Sequence, residues 1–412
     1  MYRRLIHTKL RDALADTRVV LLNGARQTGK STLAQQVAAE RGGEYLTLDD
    51  PATLGLARSD PAALVQRLGD CIVIDEIQLA PQLFPAIKRV VDQDRRPGRF
   101  LLTGSANIFL LPQISESLAG RIEILPLHPL AQVEMSGVAG RGLVDVLFGA
   151  ESWTLGATGE DRTAVCERVL AGGFPEAVER KTRERREAWF RSYITSLLQR
   201  DIRDLARIEG LTDMPRLLSL LAARSSALMN VSEVSRAVGI SHSTLRRYLG
   251  LLEALFIFQP LPAWTTNVGK RLVKSPKVHL LDSGLTVHLR GDGDARSLSQ
   301  SPSLGVLLET FVVQEIRKLL AWSLPGVRAY HFRTATGLEV DLVLEAPGQF
   351  VVGIEVKASA NVTPRNFNGL RALAETSGEQ FVQGVVIYLG AQRLPFGDKL
   401  WALPITCLWE KR

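Results

Sequence analysis

The chain is poor in cysteine and has no long apolar run. Cys71, Cys166 and Cys407 are its only thiols. They are odd in number, far apart and in no metal-ligand spacing, which disfavours a disulfide framework and a zinc site and points to a reducing cytoplasm. No apolar stretch approaches the ~20 residues needed to span a bilayer, so no membrane is expected among its partners. The start, Met1-Tyr2-Arg3-Arg4, is charged but lacks the apolar segment of a secretory signal. Internal repeats and low-complexity tracts are absent. What is present is ordinary for a globular protein: 46% hydrophobic and 23% charged residues over a length of 412, which argues against disorder and fibrous architecture. At ~150 residues per domain, that length implies two to four domains.

The net charge of +7 is concentrated in one region. Arg180 to Gly250 holds 14 Lys/Arg against 7 Asp/Glu, so the rest of the chain is neutral in sum. A local cationic excess is an electrostatic footprint for polyanions such as nucleic acid, although a solvated helical face produces the same count.

The first ~150 residues alternate apolar runs with helix-like segments. Strands are expected at Arg18–Leu22, Glu44–Leu48, Cys71–Ile74, Phe100–Leu102 and Arg121–Leu125, with an amphipathic helix from Pro85 to Asp92. This alternation implies βαβ units around a buried parallel sheet. Helical signals dominate from about Asp161 to Leu255, and α+β patterning returns after Pro260. The expected division is residues 1–150, 151–262 and 263–412.

Between the first strand and a helix lies Gly24-Ala25-Arg26-Gln27-Thr28-Gly29-Lys30-Ser31, followed by Thr32. It fits G-x-x-x-x-G-K-[ST], in which glycines let backbone N–H groups wrap phosphate at the positive end of a helix dipole. Lys30 is suited to the β- and γ-phosphates of ATP, and Ser31 to Mg²⁺. The third strand ends in Asp75-Glu76, where a parallel sheet presents its nucleotide crevice. Asp75 would help to hold Mg²⁺ and Glu76 would polarise the attacking water. At the end of the next strand Thr103, Ser105 and Asn107 could all sense the γ-phosphate; Ser105 stands in the catalytic set with Lys30, Glu76 and Arg121.

The segment Asn230 to Leu245 has a helix–turn–helix cadence, with Ser232 expected to cap the first helix, Gly239 to make the turn and Ser241 to cap the second. Val234, Ala237, Ile240, Leu245, Tyr248 and Leu249 are spaced to bury one face. His242, Ser243, Arg246 and Arg247 are left outward as candidate DNA contacts, in what looks like a winged-helix module.

Near the C-terminus, Glu309 lies on an amphipathic helix, Asp341 in a hairpin-like segment, and Glu355 and Lys357 on one face of a strand. Two carboxylates and a lysine at D…E-x-K spacing can bind Mg²⁺ and position water for phosphodiester cleavage. The segment resembles the PD-(D/E)xK nuclease-like superfamily, with Val340 in place of the loosely required proline. Glu309 matches the extra helix acid of Holliday-junction resolvase-like members. That fold is also reused without catalysis.

The whole chain resembles the prokaryotic AAA-type ATPases with a C-terminal domain of unknown function and a nuclease-like core. The resemblance runs through Leu48-Asp49-Asp50-Pro51, Asp75-Glu76-Ile77-Gln78, Leu102-Thr103-Gly104-Ser105, Gly172-Gly173-Phe174-Pro175 and Ile354-Glu355-Val356-Lys357. It implies an α/β AAA+ domain with a P-loop, a helical and winged-helix middle, and an α+β restriction-endonuclease-like end. ATP and Mg²⁺ are the implied cofactors. Arg121, just before the fifth strand, matches the position of an arginine finger acting on a neighbouring subunit's nucleotide. A homo-oligomeric ring, with a hexamer among the expectations, would then act as a motor on duplex or branched DNA. The alternatives are a nucleotide-controlled switch working through a protein partner in stress or defence signalling, and an ATP-regulated nuclease.

Overall fold

The computed structural model describes residues 2–105, 118–138, 142–149, 156–201, 211–271 and 273–410. The chain divides into two units, one of Arg3–Pro129 with Gly250–Ile257, the other of Leu130–Leu249 with Phe258–Arg412.

In the first unit β1 (Val19–Asn23), β2 (Glu44–Thr47), β3 (Ile72–Asp75), β4 (Phe100–Gly104) and β5 (Ile122–Pro126) form one sheet in the order β2-β3-β4-β1-β5. Every neighbouring pair is parallel. β1, β3 and β4 are buried along their whole length, which is why they read as unbroken Val/Ile/Leu runs. All five expected strands form, displaced by no more than two residues.

The helices are α1 (Ile6–Asp16), α2 (Lys30–Arg41), α3 (Pro51–Ser59), α4 (Pro61–Arg67) and α5 (Leu83–Gln93). α3 and α4 both start on Asp-Pro. Asp50 and Asp60 accept the N–H groups of Thr53 and Ala63 at 2.8 and 2.9 Å, and each proline fills the first helical turn, where its missing N–H costs nothing. α5 buries Leu83, Phe84, Ile87, Val90 and Val91, a stripe at helical spacing that packs in the same core as Ile72, Ile74 and Phe100. The parallel register brings Asn23 beside Gly104, and Thr47 beside Asp75. The loop after β1 and the carboxylate ending β3 therefore share one edge of the sheet.

The second unit begins helical, with Arg162–Ala171, Arg183–Ser196, Met214–Ala223 and Val231–Val238 among its helices. Its sheet is mixed: β6 (Gly156–Ala157), β7 (Arg328–Arg333), β8 (Glu339–Glu345), β9 (Val351–Lys357), β10 (Phe381–Tyr388), β11 (Gln392–Pro395) and β12 (Leu400–Pro404), in the order β6-β11-β12-β10-β9-β8-β7. β7, β8 and β9 form an antiparallel meander, and β10 joins β9 in parallel after the helix Asn368–Ser377. The helix Leu304–Leu320 buries Leu307, Leu308, Phe311 and Ile316 with Leu342, Leu344 and Ile354 of the sheet. Each such side chain contributes roughly 1.5–3 kcal/mol on burial. Among the described residues no helix is long and apolar enough to cross a membrane.

Candidate active site

The loop between β1 and α2 is shaped by close approach and by sign of φ. A Cβ at Gly24 would stand 2.1 Å from the Leu127 carbonyl oxygen, so the position tolerates glycine alone. Gln27 and Gly29 take φ of 62° and 94° and turn the chain into α2. No side chain caps that helix, which leaves its first N–H groups for an anion. Lys30 is buried, and its ammonium donates to the carbonyls of Gly24 and Ala25 at 3.0 and 2.8 Å. Thr28 Oγ1 donates to the same Ala25 carbonyl at 3.0 Å. Arg26 is half-buried and Thr32 exposed. From outside the motif, Arg4 donates to the carbonyls of Thr28 and His128 at 2.6 and 2.7 Å.

Asp75 is the hub opposite the loop. Its Oδ1 accepts from Ser31 Oγ at 3.1 Å and Thr103 Oγ1 at 2.5 Å, and its Oδ2 from the Tyr45 hydroxyl at 2.8 Å. Burial, and then the bond to Asp75, push the Tyr45 phenol well above its ordinary pKa, so it remains a donor at neutral pH. The Ser31 and Asp75 oxygens are the hard donors that magnesium takes, and their juxtaposition fits an ion arriving with nucleotide. Glu76 has φ of 58°, a left-handed conformation costing on the order of 1–2 kcal/mol for a residue with a Cβ. Its N–H donates to Thr103 Oγ1 at 3.0 Å. Gln78 Nε2 donates to the Glu76 carboxylate and, at 2.8 Å, to Ser105 Oγ. Thr103 thus touches Asp75 and the Glu76 backbone directly, whereas Ser105 reaches Glu76 through Gln78. Asn107 lies outside the described residues.

Arg121 precedes β5 and is engaged within its own chain. Its Nε and one terminal nitrogen donate to the two Asp92 carboxylate oxygens at 2.5 and 3.1 Å, and the other nitrogen donates to the Ala119 carbonyl at 3.1 Å. The guanidinium bond holds the Asp92 carboxyl below its usual pKa.

In the second unit the helix Val231–Val238 is capped by Asn230, whose side chain accepts the Glu233 N–H at 3.1 Å; Ser232, the expected cap, lies inside the helix. Gly239 turns the chain at φ of 86°. Ser241 accepts the Thr244 N–H at 3.1 Å and starts the helix His242–Ala254. Val234, Leu245, Tyr248 and Leu249 are buried, but Ala237 is exposed and Ile240 half-buried. Val238 and Ser235 take their places in the buried set, with Ser235 Oγ donating to the Ile240 carbonyl at 2.5 Å. His242, Ser243, Arg246 and Arg247 are all exposed.

The C-terminal acids converge as well. Lys357 Nζ donates to Glu355 Oε1 at 2.6 Å, and Asp341 Oδ2 accepts the Val356 N–H at 3.0 Å. Burial, followed by the nearby Asp341 charge, raises both Glu309 and Glu355 to a pKa of about 8. A residue outside the motif also enters: the Lys277 ammonium lies 2.7 Å from Glu309, 2.6 Å from Glu339 and 3.0 Å from Asp341. Among the described residues no three His, Cys, Asp or Glu side chains form a group able to hold a metal ion.

Arg4, Tyr45, Gln78, Lys277 and Glu339 were not foreseen as site residues. Gln78 offered a signal, two residues beyond the paired acids. Glu339 offered one too, two residues before Asp341 on the same strand, while Arg4, Tyr45 and Lys277 come from elements distant in sequence, where no spacing rule applies.

The AAA domain family matches residues 16–136. Two domains of unknown function follow, DUF8612 over 162–296 and DUF4143 over 304–408. The uncharacterized proteins Rv2008c of Mycobacterium tuberculosis and Mb2031c of Mycobacterium bovis are each 34% identical over 405 residues, 98% of this chain and 83% of theirs. Among solved structures, the RuvB Holliday junction branch migration motor of Thermotoga maritima is 19% identical, covering 65% of this chain and 94% of that one at a TM-score of 0.31. The ORC2 protein of Aeropyrum pernix is 14% identical, covering 69% and 90% at 0.33.

Proposed function

Because this chain belongs to one family with those two mycobacterial proteins and itself carries an AAA ATPase domain and a DUF4143 domain, we propose that it couples Mg²⁺-dependent ATP hydrolysis to work on DNA. The observation that carries the hydrolytic part is the cluster of Ser31, Thr103 and Tyr45 around Asp75, on the sheet edge where Lys30 lies buried.

The residues divide the task by position. Lys30 exchanges the loop carbonyls of Gly24 and Ala25 for phosphate oxygens, and the uncapped start of α2 receives the anion. Ser31 and Asp75 would hold the magnesium ion, which supplies charge neutralisation at the phosphates when bound. Thr103 fixes Asp75 and the Glu76 backbone together. Glu76 orients water as general base once its carboxylate leaves Gln78. Arg121 would act in trans by exchanging Asp92 for a neighbouring subunit's γ-phosphate, in a homo-oligomeric ring such as a hexamer.

The DNA part rests on His242, Ser243, Arg246 and Arg247, which are exposed together on the second helix of a helix–turn–helix, in the stretch that holds the chain's cationic excess. Phosphate contacts from such a face supply affinity, and base-edge contacts supply specificity.

The deciding experiment is steady-state ATP hydrolysis with no DNA, linear duplex and a four-way junction, at two salt concentrations, with Lys30→Ala as the blank. DNA stimulation, greatest with the junction, is the expected result. An unchanged low rate would defeat the DNA reading and favour a nucleotide-controlled switch acting through a protein partner.

A further inference from the structure

The acids that resemble a nuclease site do not fit a divalent cation here, because a lysine already stands among them. Lys277 is 1% exposed. Its ammonium has three N–H donors and faces three carboxyl oxygens: Glu309 at 2.7 Å, Glu339 at 2.6 Å and Asp341 at 3.0 Å. Donors and acceptors match in number. The other Asp341 oxygen is engaged too, by the Val356 N–H. On the far side of Asp341, Glu355 is bonded to Lys357.

The backbone of Lys277 is pinned in place. Its N–H and carbonyl pair with the carbonyl and N–H of Leu261 at 2.9 and 3.0 Å, and on the other flank Met229 N–H donates to the Pro276 carbonyl at 2.8 Å. The side chain therefore enters the acidic cluster from a segment bonded on both sides. A magnesium ion would need the same oxygens at about 2.0–2.1 Å in an octahedral shell. To make room it would have to expel the ammonium, stranding a buried charge without a partner.

We infer that Lys277 is a resident cation that substitutes for a metal ion in the nuclease-like site, so that this part of the chain is a non-cleaving platform. The acids hold β8, the helix Leu304–Leu320 and the Lys277 segment together through the ammonium. The inference concerns the second unit alone and is read without nucleotide, so its failure is distinct from failure of the ATPase reading.

The test is a Mn²⁺ titration of the nucleotide-free full chain, followed by electron paramagnetic resonance, on wild type, Asp341→Asn, Lys277→Met and the double variant. Any weak ion at the phosphate loop is common to all four and cancels. Wild type and Asp341→Asn should bind equal amounts. Lys277→Met should gain one Mn²⁺ per chain, lost again in the double variant, and Mn²⁺ should raise its melting temperature. A wild-type Mn²⁺ site that Asp341→Asn lacks would overturn the inference, as would a folded Lys277→Met that gains none. Where Lys277→Met fails to fold, the wild-type and Asp341→Asn comparison still decides. Mg²⁺-dependent DNA cleavage by wild type that is lost in Glu355→Ala would overturn it independently.

Discussion

Ser31 and Asp75, 44 residues apart in sequence, meet with 3.1 Å between hydroxyl and carboxylate. One opens a helix and the other closes a strand, and the parallel register puts both at one edge of the sheet. Around that pair the predicted consequences of mutation can be ordered.

Thr103→Val removes the hydroxyl that bonds both Asp75 and the Glu76 N–H. The site is buried, so an unsatisfied donor costs about 1–3 kcal/mol. Turnover should fall on the order of 10²-fold, as for other positioned donors, with nucleotide still bound. Ser105→Ala, which touches Glu76 only through Gln78, should be milder. Steady-state hydrolysis and a fluorescent-nucleotide titration compare the two.

Gln78→Ala frees the Glu76 carboxylate from its amide partner. The rate without DNA should rise, because the general base no longer has a competing hydrogen bond. A fall in that rate would instead mean that Gln78 positions Glu76 for the reaction.

Arg121→Ala should leave ATP binding intact and lower turnover by about 10³-fold or more, the range for an arginine acting on transferring phosphate. Asp92→Ala releases the same guanidinium from its pairing within the chain and should not lower turnover. Loss of nucleotide binding in Arg121→Ala would remove the trans-acting role.

Arg246→Ala and Arg247→Ala should each weaken DNA binding across sequences and reduce the salt slope of log K by about 1 for every phosphate no longer neutralised. Fluorescence anisotropy between low and moderate salt measures this. Unaltered slopes would turn that helix face toward protein.

Half-buried Glu309 and buried Glu355 make stability pH-dependent in a definite sense. Glu309 and Glu355 keep protons to about pH 8, whereas in the unfolded chain they ionise near pH ~4.3. The native state thus binds protons that the unfolded state has released, and stability falls as pH rises toward 8. Buried His331, lowered to about 4, has the opposite effect below pH ~6.5. Lys277, Glu339, Asp341 and Lys357 face the same cluster. Melting temperature should therefore drop between pH ~6.5 and about 8, and Glu309→Gln should flatten that drop.

The parts of this molecule legible in sequence are those written in local spacing. Unbroken apolar runs announced β1, β3 and β4 because parallel strands are covered on both faces, and the glycine–lysine loop announced itself because phosphate binding demands those residues in order. The alternation of Glu355 and Lys357 was equally local. Tyr45 and Lys277 were hidden for one shared reason. Each acts through a partner 30 or more residues away, and a tyrosine in a strand or a lysine beside a proline has many ordinary explanations. Ala237 stands three residues after Val234, but the buried stripe of this short helix runs through Val234, Ser235 and Val238, at i, i+1 and i+4, and leaves Ala237 to solvent.

Arg4 extends the nucleotide loop beyond its signature. Its two bonds tie the Thr28 carbonyl to the His128 carbonyl beyond β5, so the curvature of the loop depends on a side chain twenty residues ahead of the first motif glycine. Shortening the chain by its first few residues, or burdening them with a fusion, would loosen a scaffold strut rather than trim a tail. Nucleotide affinity would register the change although every signature residue remained.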